Sequence, residues 1–99
     1  MLQIGLFCTT SLSGTILIGL LKEKIKDFEK EIKVMSFPLS EVLMVGKDCD
    51  CILLSPQARF NYQKIKKEFS DEKLIMIPAE DFVSDDVSRI AEAIKAKLK

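Results

Sequence analysis

The chain has 99 residues, enough for one domain (1–99) with its own core. Fifteen Lys and Arg balance fifteen Asp and Glu, giving zero net charge, which argues against nucleic acid as the main partner. Histidine is absent, which removes Cys-His and Ser-His-Asp catalysis and any His-ligated zinc site. Three cysteines without a secretion signal read as reduced thiols. No apolar run approaches bilayer length and Met1 leads straight into a strand, so the expectation is a cytoplasmic chain.

Leu2, Ile4, Leu6 and Phe7 form a buried-strand pattern interrupted by Gly5. Cys8 follows, then Thr9, Thr10, Ser11, Leu12, Ser13, Gly14 and Thr15, where five of the seven residues are hydroxylic. From Ile16 the pattern is helical: Leu17, Leu21, Ile25, Phe28 and Ile32 recur on one side. Lys22, Glu23, Lys24, Lys26 and Asp27 form a solvated face or, alternatively, a docking surface. Gly19 costs this helix about 1 kcal/mol relative to alanine, which a close approach to a sheet would justify.

Ile32 to Phe37 alternates as a second strand, closed by Pro38. Leu39 to Gly46 suggests a short helix with Ser40 as its cap, and Lys47-Asp48 a turn. Asp50 to Leu54 is a third strand, apolar enough to be covered on both faces. Ser55-Pro56 ends it and opens a helix whose inner stripe is Ala58, Tyr62, Ile65 and Phe69. Leu74 to Ile77 is a fourth strand, stopped by Pro78. A final helix runs from about Asp85 to Leu98, burying Val87, Ile90, Ala91, Ile94 and Leu98. Asp85 and Asp86 at its start and Lys95, Lys97 and Lys99 at its end suit the helix dipole. Cys49 and Cys51, spaced as C-x-C on an extended segment, are expected on one face as structural residues.

This alternation predicts an α/β fold in three layers: a four-stranded parallel sheet of order 2-1-3-4 with helices on both faces. Ligand chemistry in such sheets gathers at the carboxyl ends of the strands, where the Cys8 segment and Ser55-Pro56-Gln57 would be neighbours. A strand-to-helix turn offers unpaired N–H groups and positive partial charge, which suits a thiolate and bound oxyanions. Cys8 therefore reads as a nucleophile, with residues 9–15 as the phosphate-binding segment; the plain alternative is a small buried residue. Arg59 would meet a phosphate, an acidic partner surface or only solvent. Gln57 would contact phosphate or satisfy the start of its helix. No cofactor and no metal site is expected.

These segments resemble the IIB component of the lactose/cellobiose (chitobiose) class of the bacterial phosphoenolpyruvate-dependent sugar phosphotransferase system, over essentially the whole chain. The resemblance rests on Cys8 with its Ser/Thr-rich follow-on, on Ser36-Phe37-Pro38-Leu39-Ser40-Glu41, and on Ile52-Leu53-Leu54-Ser55-Pro56-Gln57-Ala58-Arg59-Phe60. It implies a phosphocarrier whose Cys8 accepts a phosphoryl group from a histidine of a IIA partner. The group then passes to a disaccharide bound by the membrane permease IIC, at the inner face of the membrane. The family usually has glycine where Ser11 stands, a hydroxylic residue at Gly14 and glycine at Ser55. A degenerate or regulatory paralogue is the alternative within the family.

Two other classes fit less well. A low-molecular-weight tyrosine phosphatase also has a cysteine after its first strand, but it needs an arginine six positions on, where this chain has Gly14. A flavodoxin-like module would use the same hydroxyls around a flavin phosphate. It would leave Cys8 without a purpose, and the chain has no tryptophan and a single tyrosine, Tyr62, to sandwich the ring.

Overall fold

The computed structural model describes residues 2–8, 11–26, 31–69, 73–78 and 87–98, and over 11–15 the backbone only. Strand β1 (Leu2–Cys8) lies at the centre and is followed by helix α1 (Ser11–Ile25). Strand β2 (Ile32–Pro38) leads through a 3-10 turn (Leu39–Glu41), the short helix α2 (Val42–Val45) and a second 3-10 turn (Gly46–Asp48) to β3 (Cys51–Leu54). A third 3-10 turn (Pro56–Phe60) precedes α3 (Tyr62–Glu68), then come β4 (Leu74–Met76) and α4 (Ser88–Leu98). The sheet order is β2-β1-β3-β4 and every pairing is parallel, as the alternation predicts.

Alternation along the two central strands divides the core. Ile4 and Leu6 of β1, with Cys51 and Leu53 of β3, face α1 and α4. There they meet Leu17, Leu21 and Ile25 from one helix and Ile90, Ala91, Ile94 and Leu98 from the other. Phe7, Ile52 and Leu54 point the opposite way, toward Val42, Ala58, Ile65 and Phe69. Burial of each large aliphatic chain contributes about 1.5–3 kcal/mol. Because β1 and β3 are covered on both faces, their sequences read as nearly unbroken apolar runs. The edge strand β2 instead alternates, burying Val34 between exposed Lys33 and Met35.

Several boundaries differ from the sequence reading. The first helix begins at Ser11 rather than Ile16, so residues 11–15 belong to it. Ile32, read both as the last of the helical stripe and as the start of the second strand, belongs to β2 alone. Ser40 caps nothing: the turn at Leu39 starts after Pro38, without a side-chain cap. The expected single helix after Pro56 is divided at Asn61 into a 3-10 turn and α3, although its buried stripe survives. Beyond the end of β4 the Ile77 N–H still donates to the Leu54 carbonyl at 2.9 Å. Thr9, Thr10, Asp27, Phe28, Asp85, Asp86 and Lys99 lie outside the described residues.

Cys49 and Cys51 do not share a face. Cys49 ends the second 3-10 turn and packs with Phe7 and Ile52, whereas Cys51 begins β3 among the residues facing α1 and α4. The bend at Asp50 breaks the two-residue alternation on which the expectation rested. At this bend the Asp50 carboxylate accepts the Gln3 N–H at 2.7 Å, and the Asp50 N–H donates to the Gln3 carbonyl at 2.7 Å. That pair sets the register of β3 on β1.

Gly19 is exposed, and a Cβ built there meets nothing within 4 Å. No close helix–sheet approach offsets the cost of glycine at this position. Gly19→Ala should therefore stabilise the protein by about 0.5–1 kcal/mol, read as a raised denaturation midpoint with unchanged slope.

Candidate functional site

The carboxyl edge of the sheet gathers the ends of β1, β2 and β3. Cys8 pairs with Pro38 of β2 on one side. On the other, Phe7 is in register with Leu54, and the Ser55 N–H donates to the Phe7 carbonyl at 3.0 Å. Ser55 thus stands beside Cys8 across neighbouring strands. Below them Phe7 is fully buried and stacked on Phe37, with ring centroids 5.4 Å apart, which holds this end of the sheet firm.

Cys8 itself is 4 % exposed and none of the three cysteines forms a disulfide. Helix α1 starts three positions later, and its first turn carries no acidic residue. No carboxylate of that turn therefore competes with a bound anion for the helix dipole. Thr15 lies past the first turn, where its N–H enters the helix's own ladder. The segment read as a loop through Thr15 is therefore shorter, with Ser11, Leu12, Ser13 and Gly14 forming the first helical turn.

Gln57 and Arg59 lie on the 3-10 turn that leaves the end of β3, and both are exposed. The Arg59 guanidinium sits over the ring of Phe60, 4.8 Å from its centroid. Phe60 is itself 79 % exposed, so the pair forms a cationic and aromatic prominence on the rim.

Sequence reading placed Ser55 at the end of the third strand, near the Cys8 segment, but gave its side chain no role. Among the described residues it is the one polar residue with a fully buried side chain, and its hydroxyl has no hydrogen-bond partner there. An unsatisfied buried hydroxyl costs about 1–3 kcal/mol. The available signal was parity: Cys51, Leu53 and Ser55 are alternate residues of one strand, so a hydroxyl at 55 continues a buried face.

Burial pushes the Cys51 thiol up from the ordinary 9.0 to about 12, against the opposing charge of Lys97. Cys49 is also raised, chiefly by burial, against the opposing charge of Lys73. Neither has the low-pKa, accessible setting of a reactive thiol. The raised Cys51 value has a consequence for stability. Between about pH 9.0 and 12 the unfolded chain loses this proton while the folded one keeps it, so stability falls as pH rises through that window. In reducing buffer, Cys51→Ala should show a shallower alkaline loss of stability than the parent; parallel curves would contradict the assignment.

The fold and the edge residues define a class: a doubly wound parallel α/β domain with a cysteine ending its central strand ahead of a helix N-terminus. No protein-family model matches the chain and no curated protein sequence matches it. Its fold is that of the lactose-specific IIB component domain of the phosphoenolpyruvate:carbohydrate phosphotransferase system from Streptococcus pneumoniae. The two superpose with a TM-score of 0.72 over 98 % of this chain and 94 % of that one, at 17 % sequence identity. Among the described residues no helix is long and apolar enough to cross a membrane.

Proposed function

We propose that the protein is a phosphocarrier of a sugar phosphotransferase system, with Cys8 as both acceptor and donor of the phosphoryl group. The observation that carries this reading is the placement of Cys8 at the carboxyl edge of the central strand, directly ahead of a helix whose first turn lacks acids. The likeness to the lactose-specific IIB domain supports it.

In the first step the Cys8 thiolate attacks the phosphorus of a phosphohistidine on a IIA protein. The S–P bond forms as the P–N bond breaks, and the electron pair stays on the imidazole nitrogen. In the second step a hydroxyl of a disaccharide held by IIC attacks the same phosphorus. An O–P bond forms, the thiolate leaves, and the hydroxyl proton passes to a base on the sugar-binding side. Backbone N–H groups at Ser11, Leu12 and Ser13, with Thr9, Thr10, Gly14 and the hydroxyl of Thr15 as further contacts, hold the phosphoryl oxygens. The protein's share of catalysis is positioning and electrostatics. Gln57 and Arg59 belong to the rim that meets the partners. The working location is the cytoplasmic face of the membrane, beside IIC.

The test is intact-protein mass spectrometry after incubation with a phosphorylated lactose-class IIA protein at neutral pH. A phosphoryl adduct is expected on the parent, on Cys49→Ala and on Cys51→Ala, and not on Cys8→Ala. No adduct on the parent, with the donor shown to be phosphorylated, would leave a degenerate paralogue and end the carrier reading.

A further inference from the structure

We infer that Ser55 is a phosphoryl-binding residue, its side-chain hydroxyl donating a hydrogen bond to an oxygen of the group carried on Cys8; this rests on the phosphocarrier reading. Three observations converge on it. Ser55 is fully buried and its Oγ has no partner among the described residues. Its backbone is extended (φ −67°, ψ 162°) and its N–H is held by the Phe7 carbonyl, so it continues β3 by one residue alongside Cys8. Cys8 follows Ile4 and Leu6 in the alternation of β1 as Ser55 follows Cys51 and Leu53 in that of β3, and those four residues all face α1 and α4. The thiol and the hydroxyl therefore issue from the same face of adjacent strands, whose spacing is about 4.8 Å.

The donors at the end of β3 indicate what the hydroxyl does. The Ser55 N–H is already engaged and Pro56 has no N–H, so at these two positions the side chain is the only donor that strand end can offer. In the resting protein the hydroxyl makes no hydrogen bond to the Cys8 sulfur. Phosphoryl oxygens stand two bonds beyond that sulfur, and they carry the charge that makes a hydroxyl donor bond strong. The unsatisfied hydroxyl disfavours the resting state and, once bonded, favours the loaded one. Removing it should consequently act with opposite sign on the two states, which a residue with a purely structural role would not do.

The experiment compares the parent with Ser55→Ala and Ser55→Gly, each mixed with a phosphohistidine form of a lactose-class IIA protein. We expect the phosphoryl equilibrium between donor and Cys8 to shift toward the donor by about tenfold in both variants, the worth of one charge-assisted hydrogen bond. The phosphocysteine 31P resonance should also move, while the thermal midpoint of unphosphorylated Ser55→Ala stays level or rises. A loaded parent with variants that match it in equilibrium and 31P shift would overturn the role of Ser55 and leave the carrier reading standing. A lower midpoint in unphosphorylated Ser55→Ala with an unmoved 31P line would make the residue structural, with the same consequence. A parent that takes no phosphoryl group from a demonstrably loaded donor would overturn both.

Discussion

Cys8→Ser should fold like the parent and lose phosphoryl acceptance by a factor on the order of 10^3 or more. Serine differs from cysteine by one atom of similar reach, so a side chain that is 4 % exposed is replaced with little disturbance of the packing around it. Nucleophilicity changes far more. An ordinary thiol is partly ionised near neutral pH, whereas a serine hydroxyl needs a general base to remove its proton. The chain contains no histidine to act as that base. Dipole and N–H groups at the start of α1 can stabilise an anion that forms, but they do not abstract a proton. The measurement is the initial rate of adduct formation from phosphorylated IIA, followed by intact mass. A Cys8→Ser rate close to the parent's would move the acceptor away from position 8.

Phe7→Ala should cost about 3–5 kcal/mol of stability, the range for deleting a fully buried aromatic. Phe7 is fully buried, stacks on Phe37 and lies one residue before the candidate nucleophile, so its loss also loosens the strand end that carries Cys8. The same ring limits what Gly5 can become. A Cβ at Gly5 would lie 2.8 Å from Phe7 Cε2 and 2.8 Å from Cys49 Sγ, closer than side-chain carbons approach in practice. Gly5→Ala should cost about 1–3 kcal/mol by overpacking. Because half of that collision is with the ring, Gly5→Ala should cost measurably less in a Phe7→Ala background. Denaturant unfolding of the two single variants and the double closes the cycle. Simple additivity would show that Cys49 alone sets the limit at Gly5.

Much of the architecture was legible because each signal is short in range. The apolar runs at Leu2–Phe7 and Cys51–Leu54, the helical stripe through Leu17, Leu21 and Ile25, and Pro56 and Pro78 as stops all act within a few residues. Short-range signals failed where a bend or an early helix start intervened. The C-x-C spacing suggested one face for Cys49 and Cys51, and the bend at Asp50 divides them between the two cores. Hydroxyl-rich residues 11–15 looked like loop, since serine and threonine compete for their own backbone. They nevertheless form the first turns of α1, whose length and docking through Leu17 and Leu21 outweigh that preference.

By itself, the order of residues determined the strand and helix alternation, and hence a parallel sheet with right-handed crossovers, because a parallel connection leaves few other arrangements. It also singled out Cys8, since only that thiol stands between a strand and a helix start. The tertiary structure decided what the other edge residues are. Ser55 is forty-seven positions from Cys8 along the chain; parity along β3 marks it as continuing a buried face, but nothing local sets its hydroxyl beside Cys8 or marks it as unpartnered. That follows only from the register of β3 on β1, which the Asp50–Gln3 bonds and the buried faces of both strands set together. Register is a property of two strands meeting, and a slip of one residue would turn Ser55 to the opposite face.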